Sequence, residues 1–321
     1  ILTGNFTISE QGQYFIPIES AIKVIDYFSF NKDSYYIQNG DIFVGSNNKS
    51  SSIDISNIQE DEKESKIEIK DNKNSDGNKV KDKNLNIYED NSPPSLIKAI
   101  ILDPGHGGKD PGAVGYNDIK EKDIVLRTGL ILKDKLEKAY PNKKIFMTRS
   151  KDNFVELEDR AKKANEIQEK YGQSIFVAIH VNASMAKNSF GFETWYLVNN
   201  YSRNIVKKGE VSQDRDVENI VNSMLNEEIY RESKFLAQKI QARLEEEIGY
   251  ASKNRGIKEE IYFVIKKSVM PAVLVEIGFN TNKYEAIRLT NYSYLDKIAK
   301  GILEGVKDFI AEYEKTHGFS R

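Results

Sequence analysis

The sequence of 321 residues contains no cysteine. This absence excludes disulfide frameworks, zinc ribbons and thiol nucleophiles. The sequence also has no apolar run of 18 residues, so it contains no predicted transmembrane segment. Neither sign of charge is in excess, because 47 Lys and Arg residues face 49 Asp and Glu residues. The net charge of -2 offers no general attraction to nucleic acid, and we expect no nucleic-acid partner.

Composition divides the chain into three segments. In residues 1–50, the dipeptide Asn39-Gly40 lies between two alternating segments and predicts a hairpin within a small α+β module. Residues 51–95 are rich in Ser, Asn, Asp, Glu and Lys and contain almost no aromatic residue. Such a segment buries too little apolar surface to offset chain entropy, so the composition predicts a flexible polar linker. Residues 96–321 contain the apolar periodicity of one α/β domain.

Strand-like and helix-like segments alternate in the third segment, which predicts a mixed or mainly parallel sheet with helices on both faces. A proposed N-cap at Asp152 or Asn153 starts the second helix. The predicted strands cover 98–102, 144–149, 175–180, 192–198, 261–265 and 272–277. The predicted helices cover 124–140, 154–171, 217–248 and 294–313.

Histidine is scarce, and two of the three histidines follow predicted buried strands. His106 and His180 each lie at a strand's carboxyl end, where ligands of open α/β sheets bind. His317 lies beyond the last predicted helix and is given no role. A catalytic zinc site commonly has two histidines, one carboxylate and an open position for water. Glu121 is the candidate carboxylate because it opens a helix just after the glycine-rich loop that contains His106.

A second acid interrupts an apolar strand. Glu276 follows Ala272–Val275, where an uncompensated charge costs several kcal/mol. A nearby metal or water would compensate it, so Glu276 is the candidate general base. Each residue also has an ordinary explanation: a histidine in a loop, Glu121 complementing a helix dipole, or Glu276 pairing with a lysine. The glycine-rich loop lacks both the third glycine of a dinucleotide site and the Gly-Lys-Ser/Thr of a P-loop.

At these residues the sequence closely resembles the zinc-dependent N-acetylmuramoyl-L-alanine amidases of the amidase 3 family. The resemblance covers most of residues 98–314, in the family's order and spacing. The matching motifs are IILDPGHGGKDPGAVG at 100–115, KEKDIVL at 120–126, IFMTRSKDNFVELEDRAKKAN at 145–165, IFVAIHVNAS at 175–184 and MPAVLVEIGFNTN at 270–282. Separately, YFIPIESAIKVIDYF and the following hairpin are similar to the small N-terminal module of copper amine oxidases.

The resemblance implies a six-stranded mixed sheet, Zn²⁺ bound by His106, Glu121 and His180, and Glu276 as the catalytic carboxylate. It implies hydrolysis of the amide between N-acetylmuramic acid and L-alanine in peptidoglycan, for cell-wall remodelling and daughter-cell separation. Other family positions are matched by residues that would shape the site or support it: Asn182, Asn282, Arg149 and Arg160. Two alternatives are a zinc peptidase that cuts another peptidoglycan amide and a wall-binding module without catalysis.

Residues 199–233 form extra sequence in which some family members have a helical insert, moved by a partner protein, that covers the active site. Apolar residues at helical spacing predict either such a regulatory lid with an activator protein or an ordinary surface helix: Val217, Ile220, Val221, Met224 and Leu225. Glu210 and Glu218 are the candidates for an acid that reaches the zinc. Because the chain starts at Ile1, we expect a removed signal peptide and a periplasmic or extracytoplasmic location.

Overall fold

The computed structural model describes residues 97–207, 209–212 and 215–316, together with five short strands among the first 53 residues. Contacts divide the chain into two compact units, Ile1–Pro93 and Pro94–Arg321. Among the described residues, no helix combines the length and the apolar character that crossing a membrane requires.

The first unit contains two small antiparallel sheets. Its strands are β1 (Thr7–Ile8), β2 (Tyr14–Phe15), β3 (Tyr35–Gln38), β4 (Asp41–Val44) and β5 (Ser51–Ile53). Gln38 pairs with Asp41, which confirms the hairpin predicted around Asn39-Gly40. β5 pairs with β4, so this sheet extends three residues into the range predicted as linker. The rest of 51–95 lies outside the described residues.

The second unit is built on one six-stranded sheet. Its strands are β6 (Ala99–Pro104), β7 (Lys144–Met147), β8 (Ser174–Asn182), β9 (Phe192–Tyr196), β10 (Asn254–Glu259) and β11 (Ala272–Phe279). Their order across the sheet is β10-β9-β11-β8-β6-β7. All neighbouring pairs are parallel except β9 with β11, which confirms the predicted mixed, mainly parallel sheet.

Helices bury the two faces of this sheet in separate cores. They are α1 (Glu121–Ala139), α2 (Leu157–Tyr171), α3 (Arg215–Ile248), α4 (Phe263–Lys267), α5 (Lys283–Leu289) and α6 (Tyr292–Thr316). One core contains the apolar residues of α1, α3 and α6. The other contains those of α2 and α4. The strands β6, β8 and β11 are buried on both faces, as central parallel strands are.

Two local predictions are wrong. Residues 261–265 were expected as a strand, but α4 covers Phe263–Lys267, and the sixth strand is the unpredicted β10. The β-forming side chains of Val264 and Ile265 instead bury against the α2 side of the sheet, where packing overrides local propensity. Helix α2 starts at Leu157 after the N-cap Glu156. The predicted cap Asp152 instead accepts hydrogen bonds from Gly108 N and Lys122 Nζ.

The residues from 199 to 233 leave the sheet at the end of the strands opposite to His180. Because β9 runs against β11, the end of β9 lies beside the start of β11. Helix α3 runs back along the sheet, and the Ser233 hydroxyl accepts a hydrogen bond from Ala272 N at the first residue of β11. The first turns of α3 therefore project beyond this end of the strands, past Tyr230, which packs on Tyr196 of β9.

Hydrogen bonds attach the preceding loop to this projecting helix. Asn226 accepts from Arg203 N and donates to Arg203 O, and Asn222 accepts from Val206 N. Arg203 also donates to Ser268 O, just before β11. These contacts contradict the expectation that 199–233 covers the metal site.

The apolar stripe predicted on this segment is only partly buried, and its two candidate acids bind nearby backbone N–H groups. Val217 and Val221 are buried, whereas Met224 is 45% exposed. Glu210 accepts from Lys207 N, and Glu218 accepts from Gly209 N. Hydrogen bonds thus attach this segment to the domain at the end of the strands opposite to His180.

Candidate metal centre

Three side chains from different elements meet at the carboxyl ends of the parallel strands. His106 follows β6, His180 lies near the end of β8, and Glu121 is the first residue of α1. One potential ligand atom from each lies within 4.8 Å of the others. Nε2 of His106 is 3.2 Å from Oε2 of Glu121, and Nδ1 of His180 is 3.0 Å from Oε1. The structure brings together the three predicted ligands in a set that suits a metal ion.

The Glu121 carboxylate is fixed by backbone donors as well as by the histidines. Its Oε2 accepts from Ala113 N at 2.9 Å, and its Oε1 accepts from Val181 N at 2.9 Å. Burial acts to raise the pKa of Glu121, but hydrogen bonds from His106 and His180 outweigh burial and hold this pKa well below its usual range. The Glu121 carboxylate is therefore charged at any physiological pH.

An acid orients the first histidine. Asp110 Oδ2 lies 2.8 Å from Nδ1 of His106, while its Oδ1 accepts from Gly112 N. Burial alone would lower the pKa of His106, but Glu121 and Asp110 together raise it. The environment of His106 thus favours a positive charge, which a metal ion also supplies. A carboxylate on the second ring nitrogen is the usual support of a metal-bound histidine.

Two glycines keep the centre open. A methyl group at Gly105 would lie 2.2 Å from Cε1 of His180, and one at Gly112 would lie 2.6 Å from Oε2 of Glu121. Gly112 also has a φ of 65°, which favours glycine. Any side chain at these two positions would occupy the space between the ligands.

Two buried arginines support the loop beneath His106, which itself has a φ of 58°. Arg160 donates to His106 O and Pro104 O, and it pairs with the buried Asp103 at 2.8 Å. Arg149 donates to Pro104 O and Gly105 O. Both side chains are almost fully buried, so their role is to hold the loop.

Glu276 lies beside the three ligands, at the register position of His180 across the β8–β11 pair. It is 8% exposed, and its Oε2 has no hydrogen-bond partner among the described residues. Burial, followed by the charges of Glu121 and Glu193, raises the pKa of Glu276 well above its usual value. A buried carboxyl with an unused oxygen beside a metal centre suits proton transfer.

Glu193 was missed by sequence reasoning. It lies on β9, paired in register with Glu276, and it is buried. Arg255 Nε and Lys258 Nζ each donate to its Oε2 at 2.6 Å, and Asn182 Nδ2 donates to its Oε1 at 2.9 Å. The only signal was an acid at an inward position of the segment Phe192–Tyr196, next to aromatic residues.

The family-matched asparagines have separate structural roles. Asn182 contacts Glu193, as described above. Asn282 is the N-cap of α5 and accepts from Tyr284 N and Glu285 N. The unpredicted Asn280 donates to Ala113 O at 2.7 Å, which fixes the residue whose N–H binds Glu121. Asn280 therefore acts on the centre indirectly, through the glycine-rich loop.

Comparison with known proteins identifies the family. The family model Amidase_3, described as N-acetylmuramoyl-L-alanine amidase, matches residues 100–308. The chain belongs to this family. The match includes all three candidate ligands and Glu276, and it confirms the resemblance seen in the motifs.

Individual relatives of this Amidase_3 domain are similar over the same region. The uncharacterised protein YqiI of Bacillus subtilis is 35% identical over 212 residues, which are 66% of this chain and 84% of YqiI. The crystal structure of an N-acetylmuramoyl-L-alanine amidase from Clostridium difficile 630 superposes with a TM-score of 0.53 and 30% identity, over 68% of this chain and 98% of that one. The CwlD amidase of Clostridioides difficile, in complex with the GerS lipoprotein, superposes with a TM-score of 0.53 and 27% identity. This match covers 67% of this chain and 99% of that one.

Proposed function

We propose that this Amidase_3 protein is a zinc-dependent N-acetylmuramoyl-L-alanine amidase. It hydrolyses the amide between the lactyl group of N-acetylmuramic acid and L-alanine in peptidoglycan. The observation that supports this most directly is the convergence of His106, Glu121 and His180 within 4.8 Å, beside the buried and unpaired Oε2 of Glu276.

The donor set favours zinc among the common metals. Two imidazoles and one carboxylate are a usual ligand set of catalytic zinc, which leaves a fourth position for water or substrate. Bound here, zinc supplies Lewis acidity and makes water a nucleophile at neutral pH. The charged Glu121 and the two histidines hold the ion, and Asp110 and Val181 N hold the ligands in place.

Glu276 moves the proton in this proposal. Its free Oε2 takes a proton from the attacking water. Glu276 then donates the proton to the leaving L-alanine nitrogen. General acid–base catalysis of this kind contributes roughly 10²–10⁴-fold in rate.

We place this activity outside the cytoplasm, because its substrate is the cell wall, and we assign it to wall remodelling and daughter-cell separation.

We also propose that 199–233 binds a protein partner, since it projects beyond the sheet at the end of the strands opposite to the metal centre. The structure of the CwlD amidase, a related protein, was solved in complex with a lipoprotein. Crosslinking from the projecting part of α3 that captures no protein at the cell surface would remove this second proposal.

Digestion of purified peptidoglycan tests the activity. The zinc-loaded chain should release peptides with a new L-alanine amino terminus and leave muramic acid with a free lactyl carboxyl, both visible by mass spectrometry. Cleavage only at another peptide bond would instead identify a zinc peptidase. Binding to the wall without release would identify a module that lacks catalysis.

A further inference from the structure

A second charged cluster lies next to the proposed catalytic carboxyl. Glu193 is paired in register with Glu276 across β9 and β11, on the face that also contains His180. Its carboxylate is bound by two cations, Arg255 and Lys258, at 2.6 Å each. Two positive charges around one buried negative charge leave the cluster with one net positive charge.

Arg255 is held in one orientation by several contacts. Its Nε donates to Glu193, its Nη1 donates to Phe190 O at 3.4 Å, and its guanidinium lies 5.0 Å from the ring centre of Phe279. Gly191 makes the space for this side chain, since a methyl group there would lie 2.8 Å from both Cγ and Cδ of Arg255. An arginine that is ordered before binding loses little entropy when it binds a ligand.

The same side chain retains unused donors. A guanidinium has five N–H groups, and Arg255 directs two of them to Glu193 and Phe190. The side chain is 31% exposed, and that of Lys258 is 33% exposed. The guanidinium edge away from Glu193 can therefore meet a ligand, and its planar fork matches a carboxylate.

The distance from the reacting atoms restricts what that ligand is. Neighbouring strands lie about 4.8 Å apart, and Arg255 lies on β10 and reaches back to Glu193 on β9. Its guanidinium is therefore one to two strand spacings from Glu276, or roughly 5–10 Å. An extended peptide covers about 3.5 Å per residue. The second residue beyond the scissile amide, with its side chain, reaches this point.

We propose that Arg255, supported by Lys258, binds a carboxylate on the second residue of the stem peptide, so that the domain selects acidic peptides. This inference rests on the proposed amidase function and specifies the leaving side of its substrate. Glu193 is a positioning residue here, because it orders the two cations and does not itself contact the substrate.

Two synthetic muramoyl peptides test the subsite: one with a free carboxylate on its second residue, and one with the corresponding carboxamide. The zinc-loaded full chain should show a kcat/KM roughly 10- to 100-fold higher for the acid, as expected for a charge-assisted hydrogen bond. Arg255→Gln should bring this ratio close to one. Arg231→Gln, which removes an exposed arginine of α3, should leave the ratio unchanged.

The outcomes separate this inference from the function on which it rests. Failure of the wild-type chain to cleave either peptide would contradict the amidase function itself. Cleavage of both peptides at equal efficiency by the wild-type chain would leave the amidase intact and overturn the subsite, with the cations serving only to balance Glu193. The wild-type ratio decides this even if Arg255→Gln does not fold.

Discussion

His180 and Glu276 are register partners across the parallel strands β8 and β11. A proposed metal ligand and an unpaired carboxyl therefore lie on one face of the sheet, about one strand spacing apart. We expect Glu276→Gln to retain zinc and fold but to lose at least about two decades of kcat, because the amide cannot accept the proton. Glu169→Gln, an exposed acid on α2, is the matched control. Near-normal hydrolysis by Glu276→Gln would remove Glu276 from the mechanism.

Zinc should bind once per chain. We expect elemental analysis of the zinc-replete protein to give one equivalent, and His180→Ala to give much less. His317→Ala should retain full occupancy, because His317 is not among the three ligands. Chelation should also lower the unfolding temperature of the wild-type protein, since a ligand at 1,000 times its Kd stabilises by about 4 kcal/mol. A wild-type protein without transition metal under these conditions would contradict the site.

Arg160 should be essential to stability. Arg160→Leu leaves the buried Asp103 without its ion pair and removes the donor to His106 O. Removing one partner of a buried pair costs about 3–5 kcal/mol, which urea unfolding measures. Arg127→Leu, which removes only a hydrogen bond to Thr290 O from an exposed side chain, should cost far less. Equal losses in the two variants would show that the buried pair is not important.

The segment 199–233 should affect stability without affecting catalysis. Asn226→Ala removes hydrogen bonds to Arg203, and we expect a loss of about 1–3 kcal/mol in unfolding free energy. The kcat/KM on peptidoglycan fragments should stay the same, because the segment lies at the end of the strands opposite to His180. A clear increase in activity on deletion of 200–226 would instead support a lid in another conformation.

The polar range 51–95 remains a predicted linker. Limited proteolysis should cut there first, C-terminal to the strand Ser51–Ile53, and release a folded and active C-terminal fragment. Mass spectrometry of the early fragments and a peptidoglycan assay on the purified product check this. Early cleavage within 97–316 would argue against the proposed boundary.

The sequence was most informative where one chemical requirement fixes one residue. His106 and His180 were predictable because histidine is scarce and both follow apolar strands. Glu276 was predictable because a charge interrupts a buried run. The central strands β6, β8 and β11 were found for a related reason, since strands buried on both faces are nearly continuous apolar runs.

Features that depend on packing could not be predicted in the same way. β10 is a polar edge strand with an irregular register and Gly256 at a φ of 81°, so it shows no apolar alternation. Residues 261–265 have strand-forming side chains, but the chain after that edge strand forms a short helix at Phe263–Lys267. The role of Glu193 depends on its ion pairs with Arg255 and Lys258, which are more than 60 residues away along the chain. The position of 199–233 depended on the direction of β9, which local sequence does not encode.

The reversed direction of β9 gives the domain a front and a back. The residues at or just after the carboxyl ends of β6, β8 and β11 form the candidate metal centre. The connection that follows β9 leaves the sheet at the opposite end of these strands. Sequence between β9 and α3 can therefore lengthen, shorten or be fused to another protein without rebuilding the reaction centre. A fluorophore or an immobilising tag placed in that connection would lie at the end of the strands opposite to the candidate metal centre.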